Sequence, residues 1–319
     1  MTAAAGGSAT RDATVVATVP AGWQRSDRRC DWAAEVLGTD RVGSFLEGPC
    51  VTPDGSLYVS DLAHGRIFRV GPDGTFRTVL DYDGQPNGLA LHADGRLFVA
   101  DYRLGLLALD PGTGDLQAVA SGYRMEPFRG LSDLVFGLDG TLYLSDQGQS
   151  DLRFPTGRLF RWSAAGGLEL LMDGIASPNG VALSPDGHVL YVAVTRANSV
   201  YRVPLRDDGS VGKVGVYLQL SGGHGGPDGL ACDAGGGLAV ARYGLGAVQL
   251  FDAQGQLVLT IRSPAGAGTT NVAFGGPDSR ALLITEAESG SVLSASFDQP
   301  GLRLYGQRAP GATSRPSAS

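Results

Sequence analysis

Six polar residues recur at nearly even intervals along this 319-residue chain: Glu47, Asn87, Ser132, Asn179, Asp228 and Asn271, separated by 40, 45, 47, 49 and 43 positions. Each opens or closely precedes an apolar run, as in EGPCVTPDGSLYVSD from Glu47, NGLALHADGRLFVAD from Asn87 and NGVALSPDGHVLYVAV from Asn179. An apolar core cannot hold six oxygen-bearing side chains in one phase of six repeats unless water, a ligand or an ion satisfies them. Two of the six are carboxylates, and like charges held close in a narrow space repel strongly unless a cation lies between them. The donors are all oxygens, without His or Cys at this position, which favours a hard divalent ion such as Ca²⁺, Mg²⁺ or Mn²⁺. Calcium is the first choice, because amide oxygens and an irregular shell suit it. Asn87 and Asn271 are equally well read as turn residues capping a strand.

The elements that must position these residues follow from the repeats. Within each copy a run alternating with period two meets a turn centred on Asp-Gly or a degenerate form, and a second apolar run returns. Two more strand-like runs follow, as in GRIFRV then TFRTVL. Four strands repeated six times, with a period of 40 to 50 residues, describe an all-β fold, a six-bladed β-propeller with four-stranded antiparallel blades. No stretch carries a 3.6-residue apolar period over three turns, so helix is minor. The propeller is placed at residues 44–305. Residues 1–43 form an N-terminal extension whose strand-like ATVVATV is available to complete the last blade, and 306–319 form a disordered tail.

Innermost strands run along the channel of a propeller, so the six leading residues lie near one mouth. A strand that leaves that mouth and returns after the Asp-Gly turn brings its end back there, placing His64, Tyr102, Arg103, Gln147, Arg196, Arg242, Tyr243 and Glu286 on the rim, with His224 from the glycine-rich SGGHGGPDG loop. A polar, part-aromatic rim above an oxygen-lined floor suits a small oxygenated ligand, including an anionic one. Surface exposure accounts for any one of them equally well. Asp61, Asp101 and Asp146 recur too regularly to be individually catalytic and are assigned blade-locking hydrogen bonds. His92 and His188, beside Asp-Gly turns, are expected in solvent at the opposite end.

Composition excludes several classes. The net charge is −7, from 25 basic and 32 acidic residues, and no basic cluster with interleaved aromatics occurs, so nucleic acid is not an expected partner. Glycine at 49 residues signals tight turns, since an ordinary proline count of 17 argues against collagen-like or low-complexity chain. Three cysteines, Cys30, Cys50 and Cys232, form neither a disulfide framework nor a thiolate cage. Without an apolar leader or a run approaching the roughly 20 residues of a membrane span, a cytoplasmic protein without a membrane partner is expected. The serine-hydrolase and zincin signatures G-x-S-x-G and H-E-x-x-H are absent.

With LEGP at Leu46, SPNGVALSPDG at Ser177, GPDGL at Gly226 and TTNVAFGGPD at Thr269, the sequence resembles the gluconolactonase, senescence marker protein (regucalcin) and luciferin-regenerating enzyme family. The resemblance implies a six-bladed propeller with one divalent metal on its axis and, in many members, lactone hydrolysis. Carried over by motif, the metal ligands fall on Glu47, Asn179 and Asp228. A family Asn-Asp pair falls on Ser132-Asp133, leaving open which of the two faces the ion. The family's substrate arginine falls on Gly130 with Arg129 adjacent, a departure that weighs against a sugar lactone more than against the metal. The resulting expectation is a metal-dependent lactonase. Asp228 acts as base, and Asn87, Ser132, Asp133, Arg129, Gln147, Arg196, His224 and Tyr243 contact a small-molecule lactone. Ca²⁺ is the expected ion, with Zn²⁺, Mn²⁺, Mg²⁺ and Fe²⁺ as alternatives, and the protein is a monomer or small homo-oligomer. The competing readings are an organophosphate hydrolase on the same scaffold and a non-catalytic binding propeller with a structural metal.

Overall fold

The computed structural model describes residues 8–307. Six four-stranded antiparallel blades form a propeller, and their inner strands are Leu46–Val51, Pro86–Leu91, Leu131–Phe136, Pro178–Leu183, Gly226–Cys232 and Thr269–Gly275. The first five blades are each built from consecutive strands. In the sixth, only three strands come from the C-terminal part of the chain. Its outer strand is Thr14–Thr18, antiparallel to Ser291–Ser296, so the two ends of the chain close the ring. A further short strand, Ala9–Asp12, adds in parallel to the outer edge of the fifth blade.

Apolar clusters lie between successive blades, because alternation along each strand points one set of side chains at each neighbouring blade. Phe98, Leu142, Leu144 and Phe160, for example, pack between the second and third blades. Asp61, Asp101 and Asp146 are fully buried at the ends of the second strands. Asp61 accepts hydrogen bonds from the Phe45 amide at 2.9 Å and the Arg66 guanidinium at 2.5 Å. Asp146 accepts from the Arg129 and Gly130 amides at 2.8 and 2.9 Å and from Arg158 Nε at 2.8 Å, with which it forms an ion pair. Asp101 instead takes the Tyr82 hydroxyl at 2.6 Å and the amides of Gln85, Arg103 and Leu104.

Residues 301–307 close the far end of the channel. Gly301 bridges to Asp233, Gln307 donates to the Val51 carbonyl at 3.1 Å, and Gly306 is buried. The first two residues of the expected disordered tail are therefore packed, and 308–319 lie outside the described residues. This segment also corrects the expectation for His92. The imidazole is half-buried among the rings of Phe98, Phe136 and Tyr305, with centroids 5.2 to 5.7 Å away. The three cysteines are buried and free, and burial pushes the Cys50 and Cys232 thiols up to about 12. No helix among the described residues is long and apolar enough to cross a membrane.

Candidate functional site

At one phase of every inner strand the pairing with the second strand slips, and two residues face one. The pairs are Gly48-Pro49, Asn87-Gly88, Ser132-Asp133, Asn179-Gly180, Asp228-Gly229 and Thr270-Asn271. A bulge at this point bends the strand and re-aims its side chains. The glycines let adjacent inner strands approach: a Cβ on Gly180 would lie 2.2 Å from the Asp228 carbonyl oxygen, and one on Gly88 would lie 2.5 Å from Asp133 Oδ1. Asp133 and Asn271, on blades that face each other across the ring, thus fill space left free by Gly88 and Gly229.

Hydroxyl groups latch the site to the neighbouring blade. Ser60 donates to the Asn87 carbonyl at 2.6 Å, Ser145 to the Asn179 carbonyl at 2.7 Å, and Thr270 to the Leu46 carbonyl at 2.7 Å. Ser177, two residues before Asn179, has φ 67°, and its hydroxyl accepts from Gln147 at 2.8 Å. A non-glycine residue in the left-handed region is held there by its surroundings.

Glu47, Asn87, Ser132, Asp133, Asp228 and Asn271 are all buried, and Asn179 is half-buried. Ser132 accepts from the Asn87 amide at 3.4 Å and donates to Asn179 Oδ1 at 2.7 Å. Asp133 Oδ2 accepts from the Val181 amide at 3.1 Å, and Glu47 Oε2 from Gly48 at 3.0 Å. Three carboxyl groups therefore share the axis. Burial, then the charge of Asp133, pushes Glu47 up to about 8. Burial pushes Asp133 up to about 6, against hydrogen bonds from Val181, Leu134 and Asn271. Asp228 is raised well above the usual carboxylate range by burial and by the charges of Glu47 and Asp133, offset in part by its hydrogen bond with Asn179 and by Arg196. Such a cluster binds protons or a cation. Among the described residues no group of three or more His, Cys, Asp and Glu side chains is arranged to hold a metal. The Glu47 and Asp228 carboxylates and the Asn179 carboxamide, which hydrogen-bonds to Asp228, are oxygen donors of the kind a hard divalent ion takes.

Below the polar level the channel narrows to an apolar cavity of about 80 Å³, with Asp133 and Asn271 among its lining and Leu302, Leu304 and Gln307 closing it. The open side is a larger cavity of about 450 Å³ lined by Trp32, Val36, Asn87, Tyr102, Gln147, Gln149, Ser177 and Arg196, among others. Its size is that of a small-molecule pocket. Of the expected substrate contacts, Asn87, Gln147 and Arg196 line this cavity. Tyr243 lies near Asp228, whose charge helps to raise its phenol after burial does. Arg129 does not line the cavity: its guanidinium binds the Thr156 carbonyl and lies 3.8 Å from Glu126. His224 is exposed in its glycine-rich loop and is also absent from the lining. Two expected rim residues are interior. Arg242 is buried and donates to the carbonyls of Ser221 and Gly222, and Glu286 accepts from the amides of Gly268, Glu288 and Ser289. His64 is tied to the Val42 and Gly43 carbonyls.

The SMP-30/gluconolactonase/LRE-like region matches residues 45–288, most of the chain and all six inner strands. The chain belongs to this family. Lactonase drp35 of Staphylococcus aureus (strain MRSA252) is 30% identical over 246 residues, covering 72% of this chain and 73% of that enzyme. A calcium-binding regucalcin from Agrobacterium tumefaciens strain C58 superposes with a TM-score of 0.70 at 27% identity, over 82% of this chain and 94% of its own. The fold of XC5397 from Xanthomonas campestris, a gluconolactonase, also matches, with a TM-score of 0.70 at 24% identity over 94% of this chain and 99% of that one. The six-bladed propeller of this chain is the fold it shares with these solved structures.

Proposed function

We propose that the protein is a divalent-metal-dependent lactonase whose ion is held by Glu47, Asn179 and Asp228. The observation that carries this reading is the buried carboxylate cluster of Glu47, Asp133 and Asp228 along the channel, in which burial raises all three groups and like charge adds to the rise of Glu47 and Asp228. A structural role alone would favour replacing such charges with apolar groups. The names of the family's curated lactonases and of the calcium-binding regucalcin support the reaction and the ion.

When bound, a divalent ion supplies Lewis acidity to the lactone carbonyl. The side chains do the rest. Asn87 and Gln147 orient the ring from the cavity wall, and Ser132 fixes the Asn179 carboxamide. Asp228 accepts the proton of the attacking water, a task suited to a carboxylate whose basicity is raised by its surroundings. Arg196, whose charge already acts on Asp228, stabilises the carboxylate product.

The decisive experiment follows ring opening of a lactone panel by proton release, after exhaustive chelation and again after adding Ca²⁺, Mn²⁺, Mg²⁺ or Zn²⁺. Activity lost with chelation and restored by one of these ions is the expected result. Full turnover in the chelated protein would overturn the mechanism.

A further inference from the structure

Tyr102 stands at the mouth of the second blade, directly after the buried Asp101. Its backbone is fixed first: the Tyr102 amide donates to the Gln85 carbonyl at 2.8 Å, and Asp101 takes the two amides that follow, those of Arg103 and Leu104. The ring then crosses to the third blade and lies on Gly130, where a Cβ would come 2.5 Å from ring atom Cε2 and 2.6 Å from Cζ. With φ at 144°, Gly130 excludes a side chain both by its conformation and by this contact. On another side the ring packs against an apolar cluster that holds Trp32, from the short helix Asp31–Val36, together with Phe45 and Leu62.

Held in this way, Tyr102 lines the cavity of about 450 Å³ at the channel mouth. The hydrogen bonds around it leave its proton unused. Asn87 gives an amide proton to Ser132, Gln147 gives one to Ser177, and the Arg153 guanidinium is taken up by Asp151. Gln149 donates to the Tyr102 oxygen at 2.8 Å, so the phenol is the acceptor in that bond. Its single proton therefore points elsewhere and meets no acceptor among the described residues. Burial, offset in part by the bond from Gln149, holds the phenol above its usual pKa, which keeps that proton in place at neutral pH. Gln149 lines the same cavity, and its carboxamide oxygen is also without a partner among the described residues. A free donor and a free acceptor on neighbouring groups match a hydroxyl, which carries one proton and two lone pairs.

We propose that Tyr102 and Gln149 form a subsite for one hydroxyl of the lactone: the Tyr102 O–H donates to the hydroxyl oxygen, and the Gln149 carboxamide oxygen accepts the hydroxyl's own proton. This rests on the lactonase reading above and adds two substrate-contacting residues to it. The pair binds substrate without exchanging protons in the reaction, so its effect falls on KM.

The test measures kcat/KM, corrected for spontaneous hydrolysis, for lactones with and without hydroxyls: γ-butyrolactone against its α-hydroxy and β-hydroxy derivatives, and δ-valerolactone against D-glucono-δ-lactone. In Tyr102→Phe the ratio of hydroxylated to unsubstituted lactone should fall about tenfold in at least one of these pairs, through KM and at unchanged Tm, the worth of one well-placed hydrogen bond. Gln149→Leu should lower the same ratio, and the double variant should fall little further than the larger single loss, because both groups bind one hydroxyl. A ratio unchanged by Tyr102→Phe in every pair, or an equal loss on hydroxylated and unsubstituted lactones, overturns the proposal while leaving the lactonase reading intact. If the native protein opens none of these lactones with every divalent ion supplied, the lactonase reading falls and this one with it.

Discussion

Ser132 Oγ donates to Asn179 Oδ1 across 2.7 Å, linking the third blade to the fourth at the level of the channel floor. The same oxygen accepts from Asn87 on the second blade, so one hydroxyl orders carboxamides on both sides of it. With Asn179 as a ligand, Ser132 is the group that fixes the orientation of its oxygen. Ser132→Ala should weaken Ca²⁺ binding by about tenfold, within the range typical for loss of a group that orients a ligand. Titration calorimetry measures the affinity, and an unchanged Tm of the ion-free protein would show that the fold is intact.

Replacing Asp228 separates chemistry from architecture. Asp228→Asn keeps the shape and removes a charge that burial, Glu47 and Asp133 all oppose. Turnover should fall by about two to four orders of magnitude, the usual worth of a positioned base. The ion-free variant should melt at or above the native temperature at pH 8. Equal losses of activity and stability would make Asp228 a structural residue.

The same cluster sets a pH dependence. Glu47 and Asp133 rise on folding from 4.5 and 3.8 to about 8 and about 6, so the native state holds protons that the unfolded chain releases. Their protonation therefore favours the fold fully below about pH 4, and that contribution is lost as pH climbs through 6 and 8. Without divalent ions, the Tm should decline between pH 5 and 8 relative to an Asp133→Asn variant. Adding Ca²⁺ should raise the Tm more at pH 8 than at pH 5, because binding competes with protons. Thermal melts across this range, with and without chelator, provide the check.

Away from the axis, breaking a buried ion pair should cost stability. Asp61→Ala leaves the Arg66 guanidinium buried without its carboxylate and the Phe45 amide without its acceptor. Removing one partner of such a pair costs about 3 to 5 kcal/mol. Urea denaturation should show a loss of this size, and the double replacement Asp61→Ala with Arg66→Met should recover part of it.

The architecture was legible because its evidence is repetitive: six copies of one hairpin phrase leave few alternatives to a ring of blades. The polar phase was legible for the same reason at Glu47, Asn87, Ser132, Asn179 and Asp228, whereas in the last repeat Thr270 holds that place and Asn271, one residue on, aligns with Asp133. Strict alternation places Ser132 and Asp133 on opposite faces of a strand, and only the slip in pairing at Leu131 to Leu134 brings both to the polar level of the channel. The glycine following Asn87, Asn179 and Asp228 is the signal that this slip leaves in the sequence, together with the serine before Asp61 and Asp146 that supplies the latch. Arg242 and Glu286 do end second strands as expected, but their side chains turn inward, Glu286 onto the amides of Gly268, Glu288 and Ser289 and Arg242 onto the carbonyls of Ser221 and Gly222, with its Nε left without a partner. The six-residue helix Asp31–Val36 is too short to display a helical period at all.

Joining an early strand, Thr14–Thr18, to the last blade imposes an order on biogenesis. Thr14–Thr18 leaves the ribosome long before Ser291–Ser296, its partner, exists. During translation the early blades can pack, yet the circle stays open and the N-terminal strand waits without its hydrogen-bonded mate. Glu47 and Asn271 come from the first and final repeats, so the two halves of the floor meet only as the circle shuts. Capture of a cation by a nascent chain would accordingly mark the moment at which assembly finishes.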